Sequence, residues 1–246
     1  MPSRLITRRL ATRHLATRRL ATVVVAGAAS LAVLAPAASA ADSAAAAKLP
    51  AKLTVKSYTG YLKAQKTPEA KKALKSFSAL PAAKKAKFLK YLQDREVYEA
   101  MSTQTKGTVN RSVKAVRHYD ANVKFNVQII TKKNIKDPKG PASLTFSVTE
   151  SIYNIPVTTE TLNLRYNVVK GKVVAGSARA TAEVKNVNAA IAITNNNKVT
   201  VNKKGIPKAS TTWKATPRVA SFGPGVKKLQ EGWAQSSYWA VKLVNR

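Results

Sequence analysis

The side chains that could do chemistry are few. The 246 residues include two histidines and no cysteine. His14 lies in an arginine-rich N-terminal stretch, which leaves His118 for a folded domain. In His118-Tyr119-Asp120 the imidazole stands two residues from a carboxylate, the partner a general base needs in a Ser/His/Asp arrangement. No G-x-S-x-G turn marks a nucleophile, so a polar residue at a strand start is the favoured account of His118. Glu150 and Glu160 flank Pro156, and Glu183 follows on a later strand. Two carboxyls about 5–10 Å apart can cleave a glycosidic bond. Pairing with surface lysines is the simpler account of these acids. His118, Glu150 and Glu160 are the candidate catalytic residues of a secreted hydrolase, and the inventory leans away from an enzyme.

No cofactor or metal is expected. One histidine, no cysteine and scattered acids supply no ligand set for zinc or copper. No D-x-D-x-D-G run offers a calcium loop, and neither glycine-rich phosphate loop occurs. Without thiols the domain must hold together through its core alone.

Charge is the strongest signal. Against 43 Lys and Arg stand 11 Asp and Glu, a net charge of +32. Lys71, Lys72, Lys75, Lys84, Lys85, Lys87 and Lys90 crowd two short amphipathic helical stretches and are the candidate polyanion-binding residues. A solvated face over a packed core explains them, and so does adhesion to an anionic wall polymer, extracellular nucleic acid or an acidic protein. Lysine is a hydrated point charge without arginine's fork, which favours diffuse adhesion over shape-specific recognition. The apolar faces are narrow and diluted by alanine, so membrane insertion is not expected. Tyr166, Trp213, Trp233, Tyr238 and Trp239 could stack on sugar rings, but aromatics first serve a core and its rim.

Residues 1–40 read as a cleavable signal peptide. Six arginines precede the apolar run Val23–Leu34, and Ala38-Ser39-Ala40 gives the small-residue cleavage pattern. The apolar run is short of the roughly 20 residues that span a bilayer. Arg18-Arg19 leaves both the general secretory and the twin-arginine routes open. With the six arginines of the leader removed, 37 basic residues face 11 acids, a net charge of +26. The expected location is extracellular or bound to the cell wall.

The rest of the chain divides by period. Residues 41–51 read as a disordered lead-in, and 52–106 as a helical segment. Thr67-Pro68-Glu69, Pro81 and Asp94 mark helix starts. Residues 107–218 alternate apolar and polar, as in Val123, Phe125, Val127, Ile129 and Leu144, Phe146, Val148. Turn chemistry falls at Asp137–Pro141, Asn154-Ile155-Pro156, Lys170-Gly171, Asn195-Asn196-Asn197 and Lys203-Lys204-Gly205. Residues 219–246 form a C-terminal segment packing on the β domain. Within it Val226, Leu229 and Trp233 have helical spacing, and Trp239, Val241 and Leu243 strand spacing. The predicted fold class is α+β: a short Lys/Ala-rich helical segment, then an antiparallel β domain, either a sandwich or a curled barrel.

The phrases Phe88-Leu89-Lys90-Tyr91-Leu92, Thr149-Glu150-Ser151-Ile152-Tyr153-Asn154-Ile155-Pro156-Val157 and Leu164-Arg165-Tyr166 follow the leader in this order. The stretch Lys66 to Val201 thereby resembles uncharacterised secreted proteins of actinobacteria, streptomycete-like ones especially. The resemblance implies export and brings no activity, cofactor or catalytic residue. The expected function is an exported, strongly basic, non-catalytic protein adhering to polyanionic material. The alternatives are the hydrolase and an extracellular protein-interaction module or enzyme inhibitor.

Overall fold

Thr67 starts a helix for the reason its neighbours suggest. Its side chain accepts from Ala70 N at 3.2 Å, Pro68 fills the first turn, and Glu69 sits at the positive end of the dipole. In a computed structural model that describes residues 49–133, 139–235 and 237–246, this is α2 (Pro68–Ser78), the second of four helices. Before it runs α1 (Val55–Ala64), capped reciprocally by Thr54 and Ser57. After it come α3 (Ala82–Leu92), entered from Pro81, and α4 (Arg95–Ala100), capped by Asp94. Tyr58, Phe77 and Phe88 bring the first three together, with ring centroids 4.9–5.6 Å apart. The expected leader lies outside the described residues. The described residues begin within the expected lead-in, and the carbonyls of Pro50 and Ala51 accept from Ala220 N and Ser221 N, both at 2.9 Å.

Among the described residues eleven strands follow: β1 (Thr103–Thr108), β2 (Val113–His118), β3 (Val123–Lys133), β4 (Lys139–Ile152), β5 (Ile155–Val169), β6 (Lys172–Val173), β7 (Arg179–Asn186), β8 (Ile191–Val201), β9 (Pro207–Pro217), β10 (Val226–Ala234) and β11 (Tyr238–Asn245). All pairings are antiparallel. One sheet runs β1-β11-β10-β9-β8, and the other β2-β3-β4-β5, with β6 and β7 both on the free side of β5. The sheets do not close on each other, so the fold is an α+β sandwich and the curled-barrel alternative is excluded. Inward alternation on β3, β4, β5 and β9, interrupted on β4 and β5 by a register shift at Glu150/Ser151, builds the core between the sheets, with Trp213, Trp239 and Phe146 fully enclosed.

Four details depart from the expectations. The β4–β5 turn is Tyr153-Asn154, both at positive φ, the two-residue geometry that matches strand twist, and Pro156 lies on β5. Asn195-Asn196-Asn197 is no turn. It runs through β8, where the backbone pairs with Trp213, Thr212 and Thr211 of β9. The described residues of the C-terminal segment carry no α-helix. Val226, Leu229 and Trp233 belong to β10, the central strand of the five-stranded sheet, between β9 and β11. The helical spacing loses because both neighbours satisfy the β10 backbone along its length. The helical segment also ends early, at Ala100, and β1 takes the last residues before Gly107. At Gly107 itself a Cβ would lie 2.5 Å from the Trp239 ring, so only glycine lets β1 close over that indole.

Candidate functional site

The alternation that fills the core also carries polar side chains into it. On β4 the inward phase is Leu144, Phe146, Val148, Glu150, Ile152, and on β5 it is Thr158, Glu160, Leu162, Leu164. Val148 is opposite Glu160 and Glu150 opposite Thr158, so the two glutamates are diagonal neighbours, about 7 Å apart along the sheet. From the facing sheet β10 supplies Lys228 and Gln230 in the same inward phase. Glu150 is 1% exposed, and Glu160 and Lys228 are fully buried.

Each group has a defined setting. Tyr98 Oη on α4 donates to Glu160 Oε1 at 2.5 Å. Lys228 Nζ spends its three protons on Glu99 O at 3.1 Å, Met101 O at 2.7 Å and Asn245 Oδ1 at 2.9 Å, and stands 5.0 Å from the Tyr98 ring centroid. Beside it Gln230 accepts from Trp213 Nε1 at 2.8 Å and donates to Phe146 O at 3.0 Å, bridging the sheets. Burial pushes the Glu150 carboxyl up to about 8, against the pull of Lys228. Burial also raises Glu160, opposed by the Tyr98 hydrogen bond and Lys228, and lowers the Lys228 ammonium, opposed by Glu160 and Glu150. Among the described residues Glu150 Oε2, Glu160 Oε2, Tyr58 Oη and Thr211 Oγ1 have no hydrogen-bond partner.

The structure therefore brings two of the three candidate catalytic residues together, but not where a substrate could meet them. They do not pair with surface lysines. Among five surface depressions of the described residues, none is lined by Glu150, Glu160 or Lys228. A glycan chain cannot reach carboxyls sealed between two sheets and a helix, so the pair acts as a polar centre of the core. His118 is exposed at the end of edge strand β2. Asp120 is committed elsewhere: it accepts from Tyr91 Oη and from the backbone N of Asn122 and Val123, and these bonds with Lys87 hold its carboxyl below the usual range. No His118–Asp120 hydrogen bond exists among the described residues. Nor do three His, Asp or Glu side chains converge there to hold a metal ion.

The lysines lie outside. On α2 the buried face is Ala70, Ala73 and Phe77, and Lys71, Lys72 and Lys75 share the opposite, exposed stripe. On α3 Lys84, Lys87 and Lys90 are exposed and Lys85 is half-buried. Lys84 and Lys87 lie 5.7 and 5.6 Å from the ring centroids of Tyr153 and Tyr91. Of the five aromatics considered for a sugar platform, Trp213, Trp239 and Tyr166 belong to the core. Trp233 and Tyr238 share a depression of about 310 Å³ with Lys208, but Lys208 is already paired to Glu231 at 2.6 Å.

Sequence reasoning missed Lys228 and Tyr98. The signal for the glutamates was present: each continues the apolar phase of its strand, where a surface acid would break it. Compared with protein-family models, curated proteins and solved structures, the chain has no match in any of the three.

Proposed function

We propose that the chain is an exported, non-catalytic polycation that adheres to polyanionic material at or outside the cell surface. The observation that carries this reading is the separation of charge. Many of the acids are already engaged: Glu150, Glu160 and Glu231 are buried, Glu69 and Glu99 sit in surface ion pairs with Lys185 and Arg95, and Glu96 and Glu183 are exposed. Asp94 caps α4 and Asp120 clamps the turn before β3. The lysines of α2 and α3 point to solvent with few carboxylates left to offset them. Such a surface attracts any polyanion, with a strength set by ionic strength. The test uses the chain from Ala41 onward, applied to isolated cell wall or immobilised DNA and eluted with salt. Release between about 0.1 and 1 M salt is expected. Retention that does not change across that range would remove the electrostatic basis.

A further inference from the structure

The outward face of the β2–β7 sheet holds a feature that the lysine-rich helices do not. The register places Lys132 opposite Ser143, Ser143 opposite Arg165 and Arg165 opposite Arg179, one row across four strands. Three of its four positions are cations, all exposed. The next row is Ile130, Thr145, Asn163, Thr181. In it Thr145 Oγ1 donates to Asn163 Oδ1 at 2.8 Å, and Asn163 Nδ2 to Thr181 Oγ1 at 3.4 Å.

The two rows border a depression of about 580 Å³ lined by Lys132, Ser143, Thr145, Asn163, Arg165 and Asn167 among others, with no acid among the described residues of its wall. Among the described residues no ion pair engages Lys132 or Arg165. Arg179 is anchored through Nη1 to Gly176 O and Ala178 O, which fixes its charge at the end of the row. Lys132 and Arg165 stand two strands apart, about 10 Å, with hydroxyl and amide groups between and beside them.

We propose that this depression binds an anionic polyol polymer. Lys132 and the Arg165 fork would take an oxyanion, phosphate or carboxylate, and Thr145, Asn163 and Asn167 the neighbouring hydroxyls of the same chain. Charge complementarity supplies the anion, and the hydroxyl and amide lining supplies the polyol. Nucleic acid fits less well. Single strands bind sheet faces largely by stacking bases on aromatic rings. The only aromatic of this wall, Tyr166, turns inward, 3% exposed, with Oη donating to Gln235 O at 3.1 Å.

This inference rests on the polyanion reading and narrows it to one face and one chemistry. The test measures the affinity of the chain from Ala41 onward for poly(glycerol phosphate), for a polyuronate, for inorganic polyphosphate and for single-stranded DNA, all at one ionic strength. Lys132→Gln/Arg165→Gln should weaken binding of the two polyol polymers about tenfold. Lys71→Gln/Lys72→Gln/Lys75→Gln should change it far less. Asn163→Ala should weaken the polyol polymers and leave polyphosphate unchanged, because only the former offer hydroxyls. Both polyol polymers responding assigns the site to the shared oxyanion–hydroxyl chemistry, and one alone selects the phosphate or the carboxylate as the oxyanion. If the wild type binds polyanions but the α2 variant loses the affinity and the Lys132/Arg165 variant keeps it, the site is overturned while the polyanion reading stands. Tighter binding of DNA than of either polyol polymer would also overturn it. If the wild type binds none of the four polymers, the broader reading falls as well.

Discussion

The Tyr98 hydroxyl of α4 reaches 62 residues along the chain to donate to Glu160 of β5 at 2.5 Å. This bond joins the helical layer to the polar centre of the sandwich. A buried carboxylate that loses a donor keeps its desolvation cost without compensation. Tyr98→Phe should therefore destabilise the fold by about 1.5–3 kcal/mol, measured as a drop in the urea midpoint at neutral pH. A change under about 0.5 kcal/mol would mean that Glu160 is neutral and indifferent to the donor.

The buried carboxyls also set the pH dependence. A carboxyl raised to about 8 in the fold, as Glu150 is, keeps its proton where the unfolded chain has lost its own. Its stabilising contribution is complete below the ordinary value of 4.5 and is lost as pH rises through about 8. Glu160 acts with the same sign. Lys228, lowered by burial, acts oppositely, in the range up to its ordinary 10.5. The lowered carboxyls of Asp120 and Glu231 act only on the acid side. Stability should fall between about pH 5 and pH 8, with Glu150 alone contributing on the order of 4 kcal/mol. Glu150→Gln cannot ionise and should flatten that slope. Denaturation at a series of pH values measures it, and an unchanged slope in the variant would rule out Glu150 as the source.

How much of this was legible follows the exposure of each element. On β3, β4 and β5 one face meets the core, so the period of two was written in the residues, and the caps Thr67 and Asp94 are local chemistry. Both ends of β8 read as strands, and its middle was hidden because Thr194 to Lys198 is exposed along its length and carries no alternation. Its asparagines read as a turn, whereas pairing with β9 and the Asn197 Nδ2 bond to Ala180 O hold it extended. On β10 Val226, Leu229 and Trp233 carry a helical spacing, and only the neighbouring strands decide for extended backbone. The polar centre was half-visible. Glu150 and Glu160 kept the apolar phase, but nothing near them in the chain points to Lys228, which arrives from the opposite sheet.

Lys228 gives the sharpest test of whether that centre is an electrostatic unit. Its ammonium holds the carbonyls at the end of α4 and the end of β11 through three hydrogen bonds, so Lys228→Met loses those bonds and the cation whose field favours ionisation of Glu160 and Glu150. A loss of about 3–5 kcal/mol is expected, as for other buried ions stripped of a partner. Glu160→Gln alone leaves the cation with only Glu150 near it and should cost less. Combining the two removes both the cation and the carboxyl nearest its field, so the double variant should be more stable than the summed losses by at least about 1 kcal/mol. Strict additivity would show that Lys228 serves only the carbonyls of Glu99 and Met101 and the side chain of Asn245.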